Sequence, residues 1–148
     1  MKRTTLAFAG LLTAAVITTG AISPRLVGTG EAAATAPTKL GVLWTSGDRD
    51  VALKMVFMYM SYIRANHWWD DARVIVWGPS SKLLPEDEEL QETIRSLMDM
   101  GFEVVACKAC ADLYGVSEKL ESLGIEVKYA GGTLTEMLKS DEWATVTF

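Results

Sequence analysis

Thiol and imidazole groups are scarce in this chain, which has two cysteines and one histidine among its 148 residues. A structural zinc site normally takes four cysteine or histidine ligands. The two cysteines, Cys107 and Cys110, are close in sequence, whereas His67 is distant from both. The sequence therefore predicts no structural zinc site within one chain.

Glycine-rich phosphate-binding motifs are also lacking. Residues 45–48 follow a predicted strand and precede a predicted helix, which is where open α/β sheets bind ligands. Their sequence, Thr-Ser-Gly-Asp, has neither the spacing of the P-loop nor that of the dinucleotide-binding motif. We therefore predict no nucleotide and no other cofactor.

Basic residues are fewer than acidic ones, at 14 against 19. Residues 1–34 contain three of the basic and one of the acidic residues, which leaves 11 basic and 18 acidic residues beyond them. A net charge of −7 over that part of the chain argues against nucleic acid or anionic lipid as the partner.

The start of the chain has the features of an export signal. A basic n-region is followed by an uncharged run over residues 6–22 and by small residues up to Ala34. We predict a signal peptide over residues 1–34, a short tether over 35–38 and a periplasmic or secreted protein. The alternative is a membrane anchor formed by an uncleaved leader, because the uncharged run reaches the lower limit of spanning length.

From residue 39 to the end of the chain, short apolar runs alternate with helical patterns. This alternation predicts βαβ units and a mostly parallel sheet covered on both faces. The predicted strands are residues 40–44, 74–77, 102–106, 125–129 and 144–148, and the predicted helices are residues 51–65, 86–100, 117–123 and 133–139.

The predicted helix over residues 51–65 is apolar nearly all round. It contains Met55, Phe57, Met58 and Tyr59 with few charges between them. Such a helix is buried in the core or at a subunit interface. We favour the interface and therefore predict a homo-oligomer.

Cys107 and Cys110 are the residues most able to carry chemistry. They follow the apolar run at residues 102–106 and begin a predicted helix. Only a thiolate attacks sulfur, and the first-turn amides of a helix, together with Lys108, favour a thiolate at this junction. Cys110 is placed to attack a sulfur on Cys107 and close a disulfide. The pair could carry electrons, sulfur or a metal, or could be a buried cysteine beside a bystander.

Three segments are expected to meet near this pair. The carboxyl ends of parallel strands share one edge of the sheet. Residues 45–48, residues 78–80 and Cys107 each follow or end a predicted strand. We therefore predict that they converge at that edge.

On these residues the chain, from 39 to 148, resembles the DsrE/DsrF-like family, which includes the TusD and YchN proteins of sulfur relay and sulfur oxidation. The resemblance depends on Cys107 after its apolar run, on Gly115 and Val116 eight and nine residues later, and on Ile125-Glu-Val-Lys-Tyr followed by Gly131.

The resemblance implies a three-layer α/β/α domain, assembly into dimers, trimers or hexamers, and a cysteine that carries persulfide sulfur between partner proteins. Cys107 matches that cysteine, whereas Cys110 has no counterpart. Leu113 and Tyr114 replace a pair that is commonly basic in the family. Export is a second departure, because the relay proteins act in the cytoplasm.

The leading hypothesis is an exported, sulfurtransferase-like carrier with Cys107 as nucleophile and Cys110 as resolving thiol. Its partners would be sulfur donor or acceptor proteins, or small sulfur compounds. The second hypothesis is a dithiol oxidoreductase that uses both cysteines. A thioredoxin proper is unfavoured because the cysteines here follow the third strand of the domain. The third hypothesis is a binding or assembly subunit with inert cysteines.

Overall fold

The computed structural model describes residues 36–148. The predicted signal peptide over residues 1–34 lies outside the described residues. Within residues 36–148, none of the helices has the length and apolar character needed to cross a membrane.

The centre of the fold is a sheet of five strands that all run parallel, in the order β4-β3-β2-β1-β5. The predicted mostly parallel, five-stranded sheet is therefore confirmed. The strands are β1 (Lys39–Trp44), β2 (Asp71–Val76), β3 (Glu103–Cys107), β4 (Glu126–Lys128) and β5 (Trp143–Thr147).

Helices connect every pair of consecutive strands. The first, α1, covers residues 49–66 as an α-helical start (Arg49–Val51), a π-helical segment (Ala52–Phe57) and an α-helical remainder (Met58–Asn66). The others are α2 (Pro79–Leu83), α3 (Glu88–Asp99), α4 (Lys108–Tyr114), α5 (Ser117–Ser122) and α6 (Gly131–Leu138).

The strand order determines which face each helix covers. From β1 to β4 the chain advances across the sheet in one direction, and it then returns past β1 to form β5. Because parallel crossovers are right-handed, α6 lies on the face opposite the other helices. Two separate hydrophobic clusters agree with this: Val74 belongs to the first, and its neighbour Ile75 belongs to the second with Met137 of α6. The predicted three-layer α/β/α architecture is confirmed.

The larger cluster, on the first face, holds most of the core. Trp44, at the end of β1, is fully buried and packs edge-on against Phe57 of α1, with ring centroids 5.2 Å apart. The apolar stripe of α3 is buried here too, through Leu90, Ile94 and Leu97. Helical spacing places these side chains on one side of α3, so they face the sheet together.

The region predicted as one helix over residues 86–100 is divided in the structure. A 3₁₀ turn (Leu84–Glu86) precedes Asp87, whose side chain accepts a hydrogen bond from the Leu90 backbone amide at 3.1 Å. This bond and the Arg49 guanidinium lower the pKa of Asp87. Asp87 is therefore the N-cap that sets the start of α3.

An open apolar groove of about 540 Å³ runs between α1 and β5. Its walls include Met55 and Met58 of α1, whose side chains are 46 % and 51 % exposed, and Val146 of the edge strand β5. Exposed apolar surface of this kind marks an interaction site in many proteins. The groove therefore gives the predicted homo-oligomer a candidate interface.

We expect the protein to form an oligomer in solution and the Met55→Glu, Met58→Glu double variant to dissociate. Charged side chains in the groove would have to be desolvated on assembly. Light scattering at micromolar concentration measures the mass. The control is Met100→Glu, which alters an exposed methionine outside α1. A wild-type mass of one chain would contradict the prediction.

Candidate functional site

Cys107 is the last residue of β3, and α4 begins at the next residue. This confirms the predicted junction of strand and helix. However, the Cys107 side chain makes no capping hydrogen bond to the amides of the first turn. Cys107 therefore lies beside these amides, as predicted, without a side-chain hydrogen bond to them.

The Cys107 side chain lies on the face of the sheet covered by α6. It is 4 % exposed and belongs to the smaller hydrophobic cluster, with Ile75, Val105, Ala130 and Met137. These neighbours come from β3 itself, from the adjoining strand β2, and from α6 and the residue before it. Cys107 is thus a reduced thiol in an apolar layer between the sheet and α6.

Cys110 lies one turn further along α4 and is only partly buried. Burial raises the pKa of its thiol above the ordinary value of 9.0, and contact with Cys107 raises it further, whereas the Gly78 backbone amide acts in the opposite direction. Cys110 is therefore protonated at neutral pH. In that form its S–H can donate to the sulfur of Cys107.

The loops after β1 and β2 meet at the same edge of the sheet. A Cβ atom at Gly47 would lie 3.0 Å from Pro79 Cβ, so the absence of a side chain there lets the two loops touch. The Gly78 amide in turn reaches Cys110. The structure therefore brings together the three segments predicted to converge, although Gly78 contacts Cys110 rather than the residue at the strand end.

Ser80 fixes the position of the second loop. Its hydroxyl is fully buried, donates to the Trp44 carbonyl at 2.6 Å and accepts from the Trp77 amide at 3.0 Å. Gly78, between these contacts, has a φ of 68° and a ψ of −133°, which is open to glycine and unfavourable for other residues. This backbone directs the Gly78 amide toward Cys110.

The positive charge of Lys108 is engaged by a carboxylate. Its amine lies 2.9 Å from both carboxylate oxygens of Asp112, one turn later in α4, and this raises the pKa of Lys108. Asp112 also accepts a hydrogen bond from Ser117, which is the largest cause of its lowered pKa. Lys108 thus lies beside the two thiols as half of an ion pair.

His67 lies at the opposite edge of the sheet from the two thiols. It ends α1 just before β2 begins, at the amino-terminal edge of the sheet, whereas Cys107 is at the carboxyl-terminal edge. Residues 36–148 contain no cluster of three or more histidine, cysteine or acidic side chains suited to a metal ion.

Residues 45–48 use their polar groups within the fold. The Thr45 amide, the Thr45 hydroxyl and the Ser46 amide all donate to the Phe148 carbonyl. The Asp48 side chain accepts from the Val51 amide at the start of α1. These groups therefore support the carboxyl edge of the sheet at β1 and β5.

Sequence reasoning missed one residue of the site, Trp77, which packs against the cluster containing Cys107. It placed Gly78 at the correct edge of the sheet but did not predict that its amide acts on Cys110. The Gly-Pro pair at residues 78 and 79 marked a turn, but only the packing of α2 against α4 shows what the turn contacts.

Comparison with known proteins agrees with this arrangement. The profile of the DsrE/DsrF-like family matches residues 52–148. The chain belongs to the DsrE/DsrF-like family. This confirms the resemblance drawn from the cysteine segment, and the matched residues include all of the site except the loop at 45–48. Among curated proteins, none matches the chain significantly.

Two solved structures resemble this DsrE/DsrF-like chain. A conserved protein of unknown function from Bacteroides thetaiotaomicron is 33 % identical, with a TM-score of 0.71 over 75 % of this chain and 95 % of that one. A protein of unknown function from Methanobacterium thermoautotrophicum is 18 % identical, with a TM-score of 0.55 over 74 % of this chain and 98 % of that one. The second likeness concerns the fold alone.

We expect Cys110, studied in the Cys107→Ser variant, to titrate above 9.0 because burial is the largest cause of its raised pKa. A thiol whose pKa is raised by folding stabilises the protein below its unfolded pKa, and that contribution is lost as the pH rises through the folded pKa. Thiolate absorbance against pH measures the titration, and the Cys107→Ser, Cys110→Ser double variant supplies the baseline. Titration below 9.0 would contradict the assignment.

Proposed function

We propose that this chain is an exported sulfur carrier that holds a persulfide on Cys107 and resolves it with Cys110. Membership of the DsrE/DsrF-like family supports a role related to sulfur relay. The observation that carries the proposal is the packing of Cys110 against the cluster that contains Cys107, at the carboxyl edge of the sheet. In this proposal Cys107 accepts the sulfur and Cys110 releases it as sulfide.

The two cysteines have different roles in this mechanism. The Cys107 thiolate attacks a sulfane sulfur of a donor, and the donor's leaving group departs with the electron pair. Cys110 then gives up its proton, and its thiolate attacks the inner sulfur of the Cys107 persulfide, so that a disulfide forms and the outer sulfur leaves with two protons as hydrogen sulfide. Transfer to an acceptor competes with this second step. An acceptor thiolate that attacks the outer sulfur first carries it away, and Cys107 is left as a thiolate.

A dithiol oxidoreductase is the second candidate, and the same packing favours it. Two cysteines in contact can be oxidised to a disulfide and reduced by thiol exchange without any persulfide. Cys110 is partly exposed, so a partner thiol can reach one of the two sulfurs. The proposals differ in whether Cys107 ever carries an additional sulfur.

Mass spectrometry of the purified reduced protein, after brief exposure to a sulfane sulfur donor, separates these functions. The sulfur carrier gains one sulfur on Cys107 and then converts to a disulfide with release of sulfide. The oxidoreductase forms a disulfide with an oxidant and shows no added sulfur. Two unmodified thiols after both treatments would indicate inert cysteines and overturn both proposals.

The proposal of export depends on the leader over residues 1–34, whose basic start and uncharged run are typical of a signal peptide. Amino-terminal sequencing of the protein recovered from its cells tests it. A chain that begins at Thr35 outside the cytoplasm would support export. An intact first residue on a membrane-bound protein would instead indicate an uncleaved anchor.

A further inference from the structure

The two thiols differ sharply in access from solvent. Cys107, the proposed sulfur acceptor, is 4 % exposed, whereas Cys110 is partly exposed. Cys107, which must react with the sulfur donor, is therefore the less accessible of the two cysteines. The donor has to be small enough to reach it.

The cover over Cys107 is made by parts of three elements. Ala130, immediately before α6, is fully buried in the cluster that contains Cys107. Trp77, which follows β2, and Cys110, in α4, both pack against that cluster. A Cβ atom at Gly131 would lie 3.9 Å from Trp77 Cη2, so the indole reaches the start of α6. Together these groups pack around the cluster in which the Cys107 side chain is buried.

Sulfur transfer requires space for three sulfur atoms around Cys107. The attacking sulfur, the transferred sulfur and the leaving sulfur lie roughly in line during thiol exchange. A protein persulfide would have to bring the leaving cysteine, with its backbone, into the cluster against which Trp77 packs. Close-packed interiors leave little room for such an insertion. An inorganic donor of two or three sulfur atoms has no backbone to insert.

We infer that Cys107 takes its sulfur directly from a small inorganic hydropolysulfide, and that the persulfide of a folded partner protein does not reach it. The inference rests on the proposed function and names the substrate class of that same site. In the simplest case the Cys107 thiolate attacks one sulfur of HS–SH. The S–S bond of the donor breaks, a new S–S bond forms on Cys107, and HS⁻ leaves with the electron pair.

The second step then reduces the transferred sulfur. Cys110 gives up its thiol proton and bonds to the Cys107 sulfur, and the outer sulfur leaves as H₂S. The two cysteines together lose two electrons, and the transferred sulfur gains them. An external dithiol that becomes a disulfide returns the pair to its starting state.

Two single-thiol variants test the access on which the inference depends. Cys110→Ser leaves Cys107 as the only thiol, and Cys107→Ser leaves Cys110 as the matched control. Each is treated with iodoacetamide and with a maleimide attached to a long polyethylene glycol chain. For each cysteine, the rate with the bulky reagent is divided by the rate with iodoacetamide, which removes the difference in intrinsic reactivity between the two thiols. In denaturant this ratio should be the same for Cys107 and Cys110.

In the folded state we expect the ratio for Cys107 to be at least about tenfold lower than for Cys110, because the bulky reagent must wait for local opening of the cover. Equal ratios would overturn the inference, since a protein donor could then reach Cys107. Failure of iodoacetamide to modify folded Cys107 would overturn it too, because sulfur would then have to enter through Cys110.

Sodium disulfide supplies the direct test of the donor. The Cys110→Ser variant should gain one sulfur on Cys107 from sodium disulfide, and it should gain sulfur much more slowly from serum albumin that carries a persulfide. Equal rates from the two donors would overturn the inference and leave the proposed function intact. No gain from either donor would instead overturn the proposed function, whatever the alkylation ratios are.

Discussion

Replacing Cys107 by serine is expected to reduce persulfide formation to the background level, whereas Cys110→Ser should preserve it and lengthen the lifetime of the persulfide. Cys107 supplies the thiolate that accepts sulfur, and serine cannot replace it. Cys110 packs against the cluster that contains Cys107, so its attack is intramolecular. Loss of a positioned neighbouring group should extend the lifetime by at least about tenfold.

The measurement is the intact mass of each variant over time after a short pulse of sodium disulfide. Serine keeps nearly the size of cysteine, so the apolar layer around Ile75 and Met137 is expected to persist. Circular dichroism checks that both variants remain folded. Sulfur gain that survives Cys107→Ser, or persulfide lifetimes that are equal with and without Cys110, would contradict the division of roles.

The second large effect concerns the core that supports the site. Trp44→Ala is expected to lower the free energy of unfolding by about 3–5 kcal/mol, because it removes a fully buried ring that packs against Phe57. This is a large part of the total stability of a typical domain, about 5–15 kcal/mol. Persulfide formation should fall with the folded fraction.

The control for this prediction is Trp44→Phe, which keeps an aromatic ring beside Phe57. The Trp44 indole N–H is buried and has no hydrogen-bond partner within residues 36–148. An unpaired buried donor costs about 1–3 kcal/mol, so its removal offsets part of the lost packing. Urea denaturation followed by circular dichroism gives both values. Equal losses for alanine and phenylalanine would mean that packing of the ring contributes little.

The fold was largely predictable because its local signals agree with each other. The apolar run at residues 102–106 predicted a strand that the structure places at Glu103–Cys107, and Gly101 before it has a φ of 91° that ends the preceding helical region. Alternation of strands and helices then allowed few topologies other than a parallel sheet.

The start of α6 could not be predicted in the same way. The helical pattern began at residue 133, but the structure begins the helix at Gly131. Consecutive glycines disfavour a helix through their backbone entropy. Packing of Ala130 and Met137 onto the sheet overrides that preference, and such packing is visible only in three dimensions.

The sequence identified the residues of the candidate site but not how little of Cys107 is exposed to solvent. The spacing of Cys107 and Cys110 identified the pair, and the common edge of parallel strands predicted which loops approach it. The burial of Cys107 against Ala130 and Met137 depends on the return of the chain past β1 to form β5, which places α6 on that face of the sheet. That long-range feature leaves no signal near the cysteines.

The most direct test of persulfide carriage at Cys107 is peptide mapping of the protein isolated from its own cells and alkylated at once to trap its sulfur species. We predict a fraction of Cys107 that carries one additional sulfur, together with a fraction in which Cys107 and Cys110 form a disulfide. Detection of both cysteines only as unmodified thiols, under conditions in which a reference persulfide survives the procedure, would contradict the account.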